Sequence, residues 1–345
     1  MSKIALSRRE ALKIAALTCA GLVSAGCSGT ATDSATNTSI SASTRKVALV
    51  ISGPAKDKGW GQSHYDAVSA ACKELGWQLI EPQENTSAAA SADLAQSYVD
   101  QGANLIIGAG VQFARAWGDV VSSAAKKRPE AKFLLTNVDP AEDLPGYDTL
   151  ENVQAIEVDR KQFASLAGVV AGLMTRTGKV GYVAGATLSS TTEKLAYFEE
   201  AARKVNPSVQ VESRLDVGFT DEEEGRSAAA GLISAHDVDV IWSEASAADN
   251  GVRRALEEAG ADSHFNIAQP RDLVGEATVV ASTLIDWPIK QAMEAVADGS
   301  FGGGEVLVAD LGNGGISLGE LSATIPGDVR AKIETYVDQI REGTF

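Results

Sequence analysis

Residues Lys46–Leu75 read KVALVISGPAKDKGWGQSHYDAVSAACKEL, and their interpretation decides the fold. KVALVIS is a short apolar run rich in branched residues, the pattern of a buried strand. QSHYDAVSAACKEL spaces its apolar residues as a helix does. Between them stands Trp60, an indole flanked by Gly59 and Gly61 in a connection that only has to turn. Strand, loop and helix in this order form the first half of a βαβ unit.

The unit recurs along the chain. WQLIEP, NLIIGAG and KFLLTNV are further short apolar runs, separated by helical patterns such as SAAASADLAQSYVDQG and QFARAWGDVVSSAAKK. After VQAIEVD (153–159) the alternation restarts with RKQFASLAGVVAGLMTR, KVGYVAG, TEKLAYFEEAARKV, VQVESRLDV, EEEGRSAAAGLISA, DVDVIWSEA and FNIAQP. Strands alternating with helices of this length imply right-handed crossovers and parallel sheets. The expected fold is therefore α/β, with two doubly wound lobes and a hinge. The first lobe is expected to take residues 46–155 plus about 280–310, and the second about 156–279 plus 311–345.

Composition narrows the function. The chain has 345 residues, 44% of them apolar, and a net charge of -16, which opposes nucleic acid as a partner. MSKIALSRREALK followed by IAALTCAGLVSAG is a basic region and then an apolar run shorter than the roughly 18–20 residues of a membrane span. SAGC resembles a bacterial lipobox, which makes 1–26 a signal peptide and Cys27 the lipid attachment site. SRREALK resembles a twin-arginine export signal, with export by the general secretory route as the alternative. SGTATDSATNTSISAST is small and polar, so 27–45 reads as a lipidated cysteine and flexible tether. Cys72, the one thiol left in the body, occupies an apolar helical position and is expected to be buried and inert. The expected location is the extracytoplasmic face of the cell membrane, held by the lipid.

Catalytic patterns are absent from the sequence. GLMTRTGK misses the spacing and hydroxyl residue of a phosphate loop, and no GxSxG elbow occurs. His64, His236 and His264 lie far apart, so no metal or cofactor is expected. Glu222, Glu223 and Glu224 suit the first turn of a helix, where the dipole favours acids. The protein is expected to be a binding protein, not an enzyme, and a monomer. In open parallel sheets ligands sit beyond the carboxyl ends of the strands. Trp60, Trp242 and Trp287 map to or near such ends and are candidate walls of a shared cleft.

Several stretches resemble the basic membrane protein family, the PnrA-like solute receptors of ABC transporters. KDKGWGQSHYDAV is similar to its DKSFNQSAWEGL, FASLAGVVAGLMTRTGKVGYVAG to its LAGVAAALMTKTGKIGFVGG, and VGFTDEEEG to its GSFNDPAKG. GSFGGGEVLVADLGNGGISLG matches the family's last strand region. The resemblance implies a type I periplasmic-binding fold, a purine nucleoside or related ligand, and an ABC permease and ATPase as partners. It places base-stacking aromatics at Trp60 and Phe219. Asp57 is a further candidate for orienting the ligand, with a helix cap as the competing role, and Asp272 is the nearest counterpart of a ribose-binding carboxylate. Three family positions depart: an asparagine is Gly61, an aspartate is Arg115 and a lysine is Ile285. A different aromatic or sugar-like solute, or a sensor role feeding a signalling kinase, is the alternative.

Overall fold

The structure is a computed structural model that describes residues 44–345. The expected signal peptide, Cys27 and the tether up to residue 43 lie outside the described residues.

The first sheet is built by β1 (Lys46–Ile51), β2 (Gln78–Leu79), β3 (Leu105–Ala109), β4 (Lys132–Thr136), β5 (Val153–Val158) and, much later, β11 (Val306–Ala309). Its order is β11-β5-β4-β3-β1-β2, parallel throughout. The intervening helices are α1 (Trp60–Leu75), α2 (Ala88–Asp100), α3 (Val111–Lys127) and the single turn α4 (Pro140–Asp143). β1 and β3 are buried along nearly their whole length, as strands covered on both faces must be.

The second sheet comprises β6 (Lys179–Ala184), β7 (Gln210–Arg214), β8 (Val240–Glu244), β9 (Phe265–Ala268), β10 (Val279–Ile285) and β12 (Ile316–Leu318). Its order is β12-β10-β9-β8-β6-β7, with β12 antiparallel at the edge. Around it lie α5 (Arg160–Met174), α6 (Ser189–Val205), α7 (Glu222–His236), α8 (Ala248–Gly260) and α10 (Gly327–Glu342). The three glutamates follow the Asp221 N-cap in the first turn of α7, where the dipole favours them. α5 is buried on nearly every side because α6 packs against it at very close range. A Cβ at Gly168 would lie 2.4 Å from the Phe198 carbonyl, and one at Gly172 would lie 2.7 Å from that of Ala202.

The chain crosses between the lobes three times. It leaves the first after β5 and returns to pack α9 (Ile289–Asp298) against α1 before adding β11. It then crosses again to β12. The lobe boundary expected near residue 280 needs correction, because β10 pairs with β9 and so Val279–Ile285 belongs to the second sheet. That strand, VVASTLI, is mostly apolar, and such a run does not reveal which sheet it joins. The crossings are tied side by side: Asp159 N–H donates to Ala309 O at 2.9 Å, and Asp286 N–H to Gly315 O at 2.9 Å. Three short strands so joined form a hinge.

Among the described residues, no helix is long and apolar enough to cross a membrane. Cys72 is buried, and burial pushes its thiol up to about 11, which suits a packing role rather than a nucleophile.

Candidate functional site

A cavity opens where the carboxyl ends of both sheets face each other. The loop after β1 contributes Ser52, the first turn of α3 Gln112, and the loop after β4 Asn137; Trp60 opens α1. The second lobe answers with Lys194 from α6, Phe219 from the loop after β7, and Glu244 and Ser246 at the end of β8. Asn137 and Ser246 both hold left-handed backbone, at φ 57° and 54°. For a serine this conformation costs energy, and such residues cluster where loops are shaped for a ligand.

Trp60 and Phe219, the two aromatics that the resemblance marks as base-stacking, line the same cavity from opposite lobes. Both are half-buried. Trp60 is held from behind: its Nε1–H donates to Ala109 O at 2.9 Å, and its ring meets Trp287 edge-on at 5.0 Å. Beneath it, His64 Nδ1–H donates to Trp60 O at 2.9 Å. His64 Nε2 then accepts from the Thr136 hydroxyl at 2.8 Å. Two such partners suit a neutral imidazole, and burial lowers His64 to about 4. Phe219 lies across Gly185, where an added Cβ would stand 2.3 Å from its Cε1. Glycine there is what lets the ring come this close to the loop.

The other sequence candidates fall elsewhere. Asp57 is 2% exposed and fully engaged as a cap. Its carboxylate accepts from the backbone N–H groups of Gly59, Gly61 and Gln62 at 2.8–3.0 Å. It shapes the loop that carries Trp60. Trp242 is wholly buried in the second-lobe core, packed against Tyr182 at 5.2 Å and Phe198 at 5.5 Å. Expecting it at the strand end placed that end one alternation early; β8 runs on to Glu244, which reaches the cavity. Trp287 supports Trp60 and donates to Ser63 Oγ at 3.1 Å, outside the cavity wall. Asp272 accepts from the backbone of Val274 and Glu320, organising a loop away from the cavity. Arg115 faces outward on α3, and Ile285 is buried in β10.

Lys194 and Glu244 were not singled out from sequence. Their side chains are 8% and 9% exposed and form an ion pair, and the Tyr182 hydroxyl donates to Glu244 as well. Burial, and then the Glu244 charge, hold the Tyr182 phenol well above its ordinary value. One signal for the lysine was available: it precedes Phe198 by one helical turn on the apolar stripe of α6.

Salt bridges Lys58–Glu276 at 2.8 Å and Arg271–Asp66 at 3.1 Å join the lobes at the rim. Nearby, Asp249 is 2% exposed and accepts from Ala245 N–H. Burial pushes its carboxyl up to about 7; Arg253, Ala245 N–H and Ser243 oppose the rise, and Asp57 adds to it. Between the ordinary carboxyl value and about 7 the folded chain holds a proton that the unfolded chain releases, so this group loses stability as pH rises. Depressed His64 works in the opposite sense over about pH 4–6.5. The difference in stability between Asp249→Asn and the parent isolates the carboxyl. The parent is expected to lose roughly 3–4 kcal/mol relative to the variant from pH 4 to 7, as read by urea unfolding.

No group of three or more potential metal ligands exists among the described residues. Two parallel-sheet α/β lobes, a triple-stranded hinge and a cavity between strand ends make up the type I periplasmic-binding fold. The family model of the PnrA-like ABC transporter substrate-binding proteins matches residues 44–340, and the chain belongs to that family. Membership makes it a substrate-binding component of an ABC transporter, with a solute as ligand and a permease with its ATPase as partners. Curated relatives include a CD4+ T-cell-stimulating antigen from Listeria innocua, 26% identical over 97% of both chains. Another is the ABC transporter nucleoside-binding protein BmpA from Lactococcus lactis, 24% identical over 81% of this chain and 83% of the relative. An ABC transporter solute-binding protein from Aeropyrum pernix superposes with a TM-score of 0.74 at 20% identity, covering 87% of this chain and 92% of the other.

Proposed function

We propose that the protein is a lipid-anchored, monomeric receptor at the extracytoplasmic face of the membrane. In this reading it closes its lobes over a purine nucleoside or related nucleobase-like solute and presents it to its permease. The observation that carries this is the pair of aromatics, Trp60 and Phe219, lining one cavity from the two lobes. A flat heterocycle gains about 1–3 kcal/mol per stacked face, and a second face on the opposing lobe couples binding to closure. Among the described residues, the only charged side chains lining the cavity are Lys194 and Glu244, whose charges cancel. That favours a neutral solute over a nucleotide, whose phosphates need a cationic site. The nucleoside-binding relative supports the same reading.

Thermal unfolding against nucleosides, free bases, sugars and amino acids tests it, because a ligand that binds only the folded state raises the midpoint. A shift with nucleosides or free bases is expected. Shifts with sugars alone would transfer the protein to the sugar-like alternative, and silence with every purine would sink the ligand assignment. Trp60→Ala is expected to weaken binding by about 1–3 kcal/mol in calorimetric titration, with the fold retained. Unchanged affinity would remove Trp60 from the site.

A further inference from the structure

We propose that the buried Lys194–Glu244 pair is the specificity centre of the cavity, selecting heterocycles that present a carbonyl oxygen beside a ring N–H over those that present an amino group there. This rests on the nucleobase-like reading above and names the edge that the cavity reads: the lactam edge of an oxopurine.

An ammonium has three N–H donors, and Lys194 spends one on Glu244. An ionised carboxylate offers about four acceptor positions; Tyr182 and Lys194 take one each. Both groups line the cavity and both are more than nine-tenths buried. Two strong donors and two strong acceptor positions therefore stand side by side at the cavity wall. Leaving them unfilled is costly in a buried setting, and a ligand that fills them makes charge-assisted bonds. Tyr182 holds the carboxylate from within the core, so the pair is fixed before the ligand arrives.

A lactam matches this arrangement. Amide resonance moves electron density from nitrogen to oxygen, so the carbonyl suits the ammonium and the adjacent N–H suits the carboxylate. With the ring stacked and its sugar held, an aminopurine would set an amino donor against the ammonium donor and a bare ring nitrogen against the carboxylate. The pair thus rewards one edge and penalises the other, and a penalty of this kind is what gives specificity.

Calorimetric titration of the purified protein with inosine, guanosine, adenosine and purine riboside tests the proposal. Purine riboside keeps the sugar and the stacking face but carries neither the oxygen nor the N–H. Inosine and guanosine are expected to bind at least about tenfold tighter than adenosine and purine riboside, the size of a charge-assisted hydrogen bond. In the double variant Lys194→Met with Glu244→Gln, inosine is expected to fall to the level of purine riboside. Adenosine binding as tightly as inosine, or a double variant that keeps the preference, would overturn the inference while leaving the nucleoside reading intact. No binding by any of the four would overturn both. The ligand series on the unmutated protein decides the matter even where the double variant fails to fold.

Discussion

Replacing Glu244 with alanine is expected to destabilise the protein by about 3–5 kcal/mol, the cost of leaving one partner of a buried ion pair alone. Lys194 would keep its charge in a site where it is 8% exposed, and the Tyr182 hydroxyl would lose its carboxylate acceptor. Chemical denaturation of the unliganded protein reads the loss. Replacing both charges, Lys194→Met with Glu244→Leu, is expected to recover most of that stability, since a buried pair exchanged for apolar groups of similar volume is often neutral. The preference for the lactam edge would not return with it. That split identifies a pair kept for recognition and not for folding. A single variant as stable as the parent would show that the site is wetter than its burial implies.

Gly61→Asn, which restores the residue expected from the family resemblance, is expected to be strongly destabilising and to abolish binding. A Cβ at Gly61 would stand 2.1 Å from the Pro54 carbonyl oxygen and 3.2 Å from Asp57 Oδ2. The first neighbour is backbone, so the loop from Pro54 to Gly61 must move as a whole. It then loses the bonds from Gly59, Gly61 and Gln62 to Asp57, and with them the placement of Trp60. Overpacking of this kind costs typically about 1–3 kcal/mol, and the lost cap adds about 1 more. Unfolding midpoints and calorimetry on the variant give both readouts. A folded variant that binds tighter than the parent would mean that the loop tolerates the amide and reads a base with it. The glycine thus admits the close approach of the Pro54 carbonyl, with the Asp57 carboxylate turned inward to cap α1.

Much of the architecture was legible because its signals are local. Strands buried on both faces must be continuously apolar, and KVALVIS and NLIIGAG are. Trp60 was legible for a related reason: an indole between glycines, in a loop following a buried strand, has little local core to fill. Phe219 came from the resemblance, and both rings line the one cavity. Trp242 misled because its strand continues for two residues more, and a strand's end cannot be read to that precision from an apolar run. Asp57 misled because a carboxylate before a helix suits a cap and a ligand equally well until its partners are seen.

The sequence by itself determined the alternation of strand and helix, the division into two lobes and the aromatic of the first loop. All of these follow from the hydrophobic period and from turn residues, which act over a few neighbours. Only the tertiary structure decided which sheet β10 joins, which side chains meet across the cleft, and that a lysine on α6 finds a glutamate at the end of β8. Lys194 and Glu244 are separated by 50 residues of chain. Their pairing depends on how α6 packs over the second sheet, and no local pattern encodes a contact between charges that the fold brings together only when it closes.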